Sequence, residues 1–258
     1  MQYDAIHYTE DKAIAVVTLD RPKVKNALNT VMRAEITHAI RIAQKSARVL
    51  VITGKGDAFC SGQDLGDGVN AGTADLERTL RDEYEPLMMA LHSCKIPTIA
   101  AVNGVAAGAG ASLALAADVV IATERAFFIQ AFTRIGLMPD AGGTYALPRQ
   151  IGMARAMGAS LFGDAISADK AAAWGMIYES VEDDLFAAHW QARAAHLAQG
   201  PTAAYQATKE ALHASAGNTY AQQLALEAKL QGRCGQTRDF REGVVAFTAK
   251  RAPKFEGR

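Results

Sequence analysis

No sign of charge dominates this chain: 27 lysines and arginines stand against 27 aspartates and glutamates in 258 residues. A sequence with no basic excess and no basic stripe lacks the electrostatic footprint that nucleic acids and anionic membranes select. Cysteine is scarce too. Cys60, Cys94 and Cys234 are odd in number and far apart, which argues against a disulfide framework or a structural zinc site and for a reducing compartment. The first residues show no basic-then-apolar signal pattern, and no apolar run reaches the ~20 residues that span a bilayer. Repeats and low-complexity tracts are absent. The expectation is a soluble cytoplasmic protein that handles small molecules, with no nucleic-acid or membrane partner.

What is present is apolar material: half the residues are hydrophobic, in a chain long enough for a large core yet near the size where one core begins to divide. Ala13 to Leu19, Val49 to Thr53, Thr98 to Val102, Val119 to Ala122 and Ile177 to Val181 read as short buried strands bounded by turn residues. Between the first two lies a helix, capped by Asn29 or Thr30, with Met32, Ile36, Ile40 and Ala43 on one face. Leu76, Leu80, Leu87 and Leu91 mark another, which Pro86 should kink or divide. Ser167 and Gly175 bracket a short helix. From Asp184 the pattern is helical to the end, with breaks at Gly200-Pro201, Gly217 and Gly232. Strands alternating with helices predict an α/β core over 1–200, followed by a helical region over 201–258.

Two features carry chemistry. NGVAAGAGASLALAADVV, from Asn103, is a glycine and alanine loop opening an apolar helix; unpaired N–H groups at such a helix start favour a developing oxyanion. Alone, it is equally a close helix-to-strand packing site. GLMPDAGGT then presents a lone carboxylate, Asp140, after the apolar residues Ile135 to Met138, where desolvation would raise its pKa and make it a better base. The competing reading is an Asp capping the next turn.

With AFCSGQDL at Ala58 to Leu65, these stretches resemble the enoyl-CoA hydratase/isomerase (crotonase) superfamily, and the likeness extends over nearly the whole chain. It implies a spiral of ββα units, terminal helices that assemble trimers or dimers of trimers, and a CoA-thioester substrate with no separate cofactor. The thioester oxygen would sit between the N–H groups of Gln63 and Ala109, the latter where many relatives have glycine. Hydratases of this superfamily use two glutamates, whose positions here hold Ser112 and Phe132. The Asp140 placement instead resembles double-bond isomerases, above all those that open the ring epoxide of a phenylacetyl-CoA to an oxepin and also shift 3-ene to 2-ene acyl chains. Asp140 is then the single proton shuttle.

The same resemblance places CoA along Ser61, Gln63, Asp64 and Leu65, with Lys23, Val24, Ala27 and Leu28 near the adenine and Phe247 and Lys250 reaching in from a neighbouring subunit. Phe127, Phe128, Phe132 and Tyr145 are candidate linings of an aromatic acyl pocket or plain core. The pocket's shape also depends on the loop Asp67 to Asp75. His189 and His196 share a helix face without completing a metal site, so no metal is expected. Cys60 lacks an activating neighbour and Ser112 a nucleophile elbow. The rivals are a hydratase working through another carboxylate and a non-catalytic binder of RNA or acyl-CoA.

Overall fold

In the computed structural model, which describes residues 2–66 and 75–258, successive turns of the chain lay one strand in a long sheet and the next in a short one. The hairpin of β1 (Ile6–Asp11) and β2 (Ile14–Leu19) starts the long sheet. Helix α1 (Thr30–Ser46) then crosses to β3 (Val49–Gly54) in the long sheet and β4 (Ala58–Cys60) in the short one. The second turn runs through α2 (Leu76–Thr79), a π-helical turn (Leu80–Tyr84) and α3 (Glu85–His92) into β5 (Thr98–Val102) and β6 (Val105–Ala107). Helix α4 (Ala109–Leu115) leads to β7 (Val119–Thr123) and β8 (Phe127–Ile129). The last turn holds α5 (Gly143–Phe162), β9 (Ile166–Ser167), α6 (Ala168–Trp174) and β10 (Glu179–Val181). Four helices follow: α7 (Asp183–Gln199), α8 (Thr202–Ser215), α9 (Tyr220–Gly235) and α10 (Arg238–Thr248). The long sheet has the order β1-β2-β3-β5-β7-β10 and the short one β4-β6-β8-β9. This is the ββα spiral the sequence predicts.

Parallel central strands are buried on both faces, which is why their sequences are continuous apolar runs. In β3, Leu50 and Ile52 enter the main core with Ile36 and Ile40 of α1, while Val49 and Val51 face a second core built on Phe186, Ala194 and Ala198 of α7. Glycine makes the step from one sheet to the other. A Cβ at Gly54 would lie 2.1 Å from the Ala58 carbonyl oxygen, and one at Gly104 only 2.0 Å from that of Asp57. No side chain fits at either corner.

Several expectations need correction. Pro86 does mark a division, though not by ending the helical path: it sits in the first turn of α3, and the hydrogen bonding ahead of it widens into the π turn that separates α2 from α3, where Glu85 N–H reaches Leu80 O. Gly232 breaks nothing, since α9 runs through it to Gly235. The strand expected from Ile177 begins only at Glu179. Asn29, rather than Thr30, caps α1, accepting from Met32 N–H. The chain beyond Gly200 is tied back to the core. Arg48 donates to Thr202 Oγ1, Gly200 O and Phe255 O, and Lys209 pairs with Asp118 at 2.6 Å. Among the described residues no helix is long and apolar enough to cross a membrane.

Candidate active site

Gln63 and Ala109 come together because β4 and β6 are parallel neighbours and each ends in a turn at glycine. Gly62 has φ +96° and Gly108 φ +52°. The two segments approach so closely that a Cβ at Gly62 would sit 2.8 Å from Ala107 O and 3.4 Å from Ala109 N. Ala109 is the first residue of α4, where N–H groups have no partner within the helix. Gln63 forms a one-residue parallel bridge with Leu28, which engages Gly62 O and Asp64 N and leaves the Gln63 N–H outside the ladder. Among the described residues neither the Gln63 nor the Ala109 N–H donates to a protein acceptor. Gly110 keeps α4 close, since a Cβ there would be 2.4 Å from Cys60 O.

Asp140 lies beside the same helix. Ser112, one turn into α4, donates its hydroxyl to the Asp140 carbonyl at 3.0 Å, and Gly143 N–H donates to that carbonyl at 2.8 Å. The turn that follows uses left-handed Ala141 (φ +46°) and Gly142 (φ +82°). The capping alternative fails, because α5 starts at Gly143 with Gly142 as its N-cap residue and no side-chain cap. The carboxyl is half-buried, its Oδ1 is wholly buried without a hydrogen-bond partner among the described residues, and burial raises its pKa to about 6. The direction agrees with expectation, but the source differs. Ile135, Leu137 and Met138 are themselves exposed, whereas the adjoining Pro139 is buried. The Phe132 ring lies 3.7 Å from where a Gly108 Cβ would be, an apolar wall beside the glycine turn that opens α4.

Three site residues escaped the sequence reading. Arg33, only 2% exposed, donates to Gln63 Oε1 at 2.9 Å and to Leu28 O at 2.6 Å, and pairs with Glu83 at 2.5 Å. The Tyr84 hydroxyl donates to the same Gln63 Oε1 at 2.5 Å. Burial pushes the Tyr84 phenol above its ordinary range; Arg33 opposes this, and negative charge at Cys60 or Asp140 adds to it. Helical spacing puts Arg33 beside Ile36 and Ile40 on α1, but nothing local tells that its partner will be Glu83, 50 positions away.

The arrangement offers two unpaired main-chain donors on neighbouring turns and one desolvated carboxyl, a site suited to polarising a carbonyl and moving the proton beside it. The enoyl-CoA hydratase/isomerase family model matches residues 9–258. The chain belongs to this family. Its members act on CoA thioesters, and this enzyme shares the crotonase-like α/β fold: an enoyl-CoA hydratase of Polaromonas superposes with a TM-score of 0.92 at 31% identity, covering 98% of this chain and 100% of that one. A "Probable enoyl-CoA hydratase" of Rhodobacter capsulatus is 61% identical over the full length of both chains. The 1,2-epoxyphenylacetyl-CoA isomerase of Escherichia coli is 43% identical, with 96% of this chain and 97% of that one covered.

Other positions assigned from the family separate into exposed and structural groups. Lys23, Val24 and Leu65 are exposed and Ser61 is half-buried, donating to Val24 O. Leu28 is fully buried with its N–H and carbonyl engaged, so it shapes the turn and presents no side chain to a ligand. Ala27 is buried and its carbonyl accepts from Arg21, whose other partner is Asp64 at 2.7 Å. Phe247 is 86% exposed and Lys250 is exposed, on α10 and just beyond it. Of the aromatic candidates, Phe128 is core and Tyr145 lies on the surface under Arg149; Phe132 alone is placed against the glycine turn. Of the loop expected to shape the pocket, Asp67 to Asp75, only Asp75 lies among the described residues, where it caps α2. Cys60 is buried with its thiol pushed up to about 12, and His189 pairs with Glu179.

Proposed function

We propose that this enzyme is an acyl-CoA isomerase in which Asp140 carries a proton from one carbon of a CoA thioester to another. The observation that carries the reading is the half-buried Asp140 carboxyl, its Oδ1 buried without a hydrogen-bond partner among the described residues, beside the helix that begins with the Ala109 N–H. The thioester oxygen accepts from Gln63 N–H and Ala109 N–H, which acidifies the adjacent C–H. Asp140 takes that proton, the electron pair moves onto the oxygen as an enolate, and the protonated carboxyl returns the proton farther along the conjugated system. Substrate and product have the same formula, so the shuttle consumes no oxidant or reductant.

The preferred substrate is the ring epoxide of a phenylacetyl-CoA, converted to its oxepin, with 3-enoyl to 2-enoyl conversion alongside. Support comes from the 43% identical isomerase and from a trans-2-decenoyl-[acyl-carrier-protein] isomerase of Streptococcus mutans, 36% identical over all of both chains. CoA follows Lys23, Val24, Ala27, Ser61 and Leu65, with Phe247 and Lys250 donated by a neighbouring subunit of a trimer or a dimer of trimers in the cytoplasm. The competing activity is hydration, which the name of the 61% identical relative favours. Against it, Ser112 and Phe132 occupy the positions of the two hydratase glutamates.

A panel of acyl-CoA thioesters, including the epoxide and 3-enoyl chains, separates the two by product mass. Isomerisation leaves the mass unchanged and hydration adds one water. Asp140→Asn is expected to lower isomerisation by about 10²- to 10⁴-fold, the usual contribution of a positioned acid-base group. Near wild-type rates in that variant would refute the proposal.

A further inference from the structure

The Gln63 N–H hangs on slender support. Its peptide belongs to a one-residue bridge, in which Leu28 N–H donates to Gly62 O at 2.7 Å and Asp64 N–H to Leu28 O at 3.2 Å. Glycine precedes it in the left-handed region. Oxyanion donors act only if their direction is fixed before charge develops, and displacements of about 1 Å cost on the order of 100-fold in rate. Two peptide hydrogen bonds on one bridge are little restraint for such a task.

The restraint comes from the side-chain side. Gln63 Oε1 accepts from both Arg33 Nη1 and Tyr84 Oη, and the same Arg33 nitrogen also grips Leu28 O, so one guanidinium holds both members of the bridge. Arg33 is fixed in turn: its Nε and Nη2 bind Glu83, Nη2 also reaches Thr30 Oγ1, and the guanidinium stacks 4.7 Å from the Tyr84 ring centroid. Glu83 and Tyr84 are consecutive and close the π turn, whose wider winding lets both reach one partner. Stability alone gives little reason for this construction, since a buried ion pair is often matched or exceeded by apolar packing.

We infer that Arg33 and Tyr84 are positioning residues that fix the Gln63 N–H toward the enolate oxygen, linking the oxyanion donor to the helix over residues 76–92. The inference rests on the proposed use of the Gln63 and Ala109 donors. It predicts that the network contributes to turnover rather than to thioester affinity.

The test compares the wild-type enzyme with Tyr84→Phe and with the double variant Arg33→Met/Glu83→Gln, which removes the ion pair without stranding a charge. Three quantities are measured: thermal unfolding, kcat and KM on a 3-enoyl-CoA, and the absorption of a para-dimethylamino-cinnamoyl-CoA, whose band moves to longer wavelength as its carbonyl is polarised. Tyr84→Phe is expected to fold normally and bind the chromophore with unchanged affinity, while kcat falls about tenfold or more and the band shift shrinks. The double variant moves both quantities further. A folded variant with wild-type kcat and the full band shift overturns the inference, as does loss of folding in Tyr84→Phe, which would make the network a core element. Absence of any band shift in the wild-type enzyme refutes the cradle itself and this inference with it. A full shift with wild-type turnover in Asp140→Asn refutes only the assignment of the base.

Discussion

Asp140 is a carboxyl group placed where its own charge is disfavoured. Its value rises from 3.8 to about 6 through burial, so the folded protein holds this proton more tightly than the unfolded chain does. Two consequences follow. The kcat/KM profile should rise with pH through about 6, as the base form appears. Stability moves the other way: the favourable contribution of the neutral carboxyl is complete below 3.8 and is lost as pH climbs to about 6. At pH 7 Asp140→Asn should therefore stabilise the enzyme by roughly 1–3 kcal/mol while removing activity, a trade seen at strained catalytic groups. Urea unfolding of both proteins at pH 7 and pH 4 checks this; an equal gain at both pH values would mean that the carboxylate charge is not the cause. The residue was visible in the sequence because PDAGG follows the glycine- and alanine-rich start of α4. Its surroundings were not, since Ile135, Leu137 and Met138, the apolar neighbours expected to desolvate it, are exposed.

Helix α4 shows what small residues accomplish along an element. Ala109 to Leu115 are all buried, and Gly110 admits no side chain because Cys60 O and Sγ lie 2.4 and 2.7 Å from a Cβ position. Gly110→Ala must push α4 away from β4, and should cost about 1–3 kcal/mol by overpacking. Because that movement displaces the Ala109 N–H, kcat should fall more than thermal stability suggests. A variant with reduced Tm and intact kcat would show that the helix start is not an oxyanion donor. The long strands were legible as β-branched runs, whereas β4, β6 and β8 have three residues each, too few for any period to register. The π turn was equally invisible, since Pro86 announces a disturbance without saying whether the helix will bend, end or widen.

Over the whole molecule, the chain after Gly200 leaves apolar surface uncovered. Leu224, Phe240, Val244 and Phe247 line a cleft of ≈ 900 Å³ between α8, α9 and α10, and Phe247 is the most exposed large apolar side chain among the described residues. In the proposed trimer this face is shared between copies. Sedimentation should show a trimer or hexamer for the wild-type enzyme and smaller species for Phe240→Asp/Phe247→Glu; a monomeric wild-type enzyme would refute the assembly. If Phe247 and Lys250 serve a neighbour's CoA, the same variant should raise KM as it dissociates.

Linear pattern was sufficient for the family, the alternation of strands and helices, the two glycine-rich turns and the carboxylate, because each of these depends on local backbone chemistry or on short motifs. Folding settled the rest. The short sheet, the burial of Arg33 and the grip of Tyr84 on Gln63 all depend on contacts between residues tens of positions apart, and no local signal encodes which distant side chain will arrive. The same holds for the acidity of Asp140, which comes from the low-dielectric space that the packed spiral closes around it.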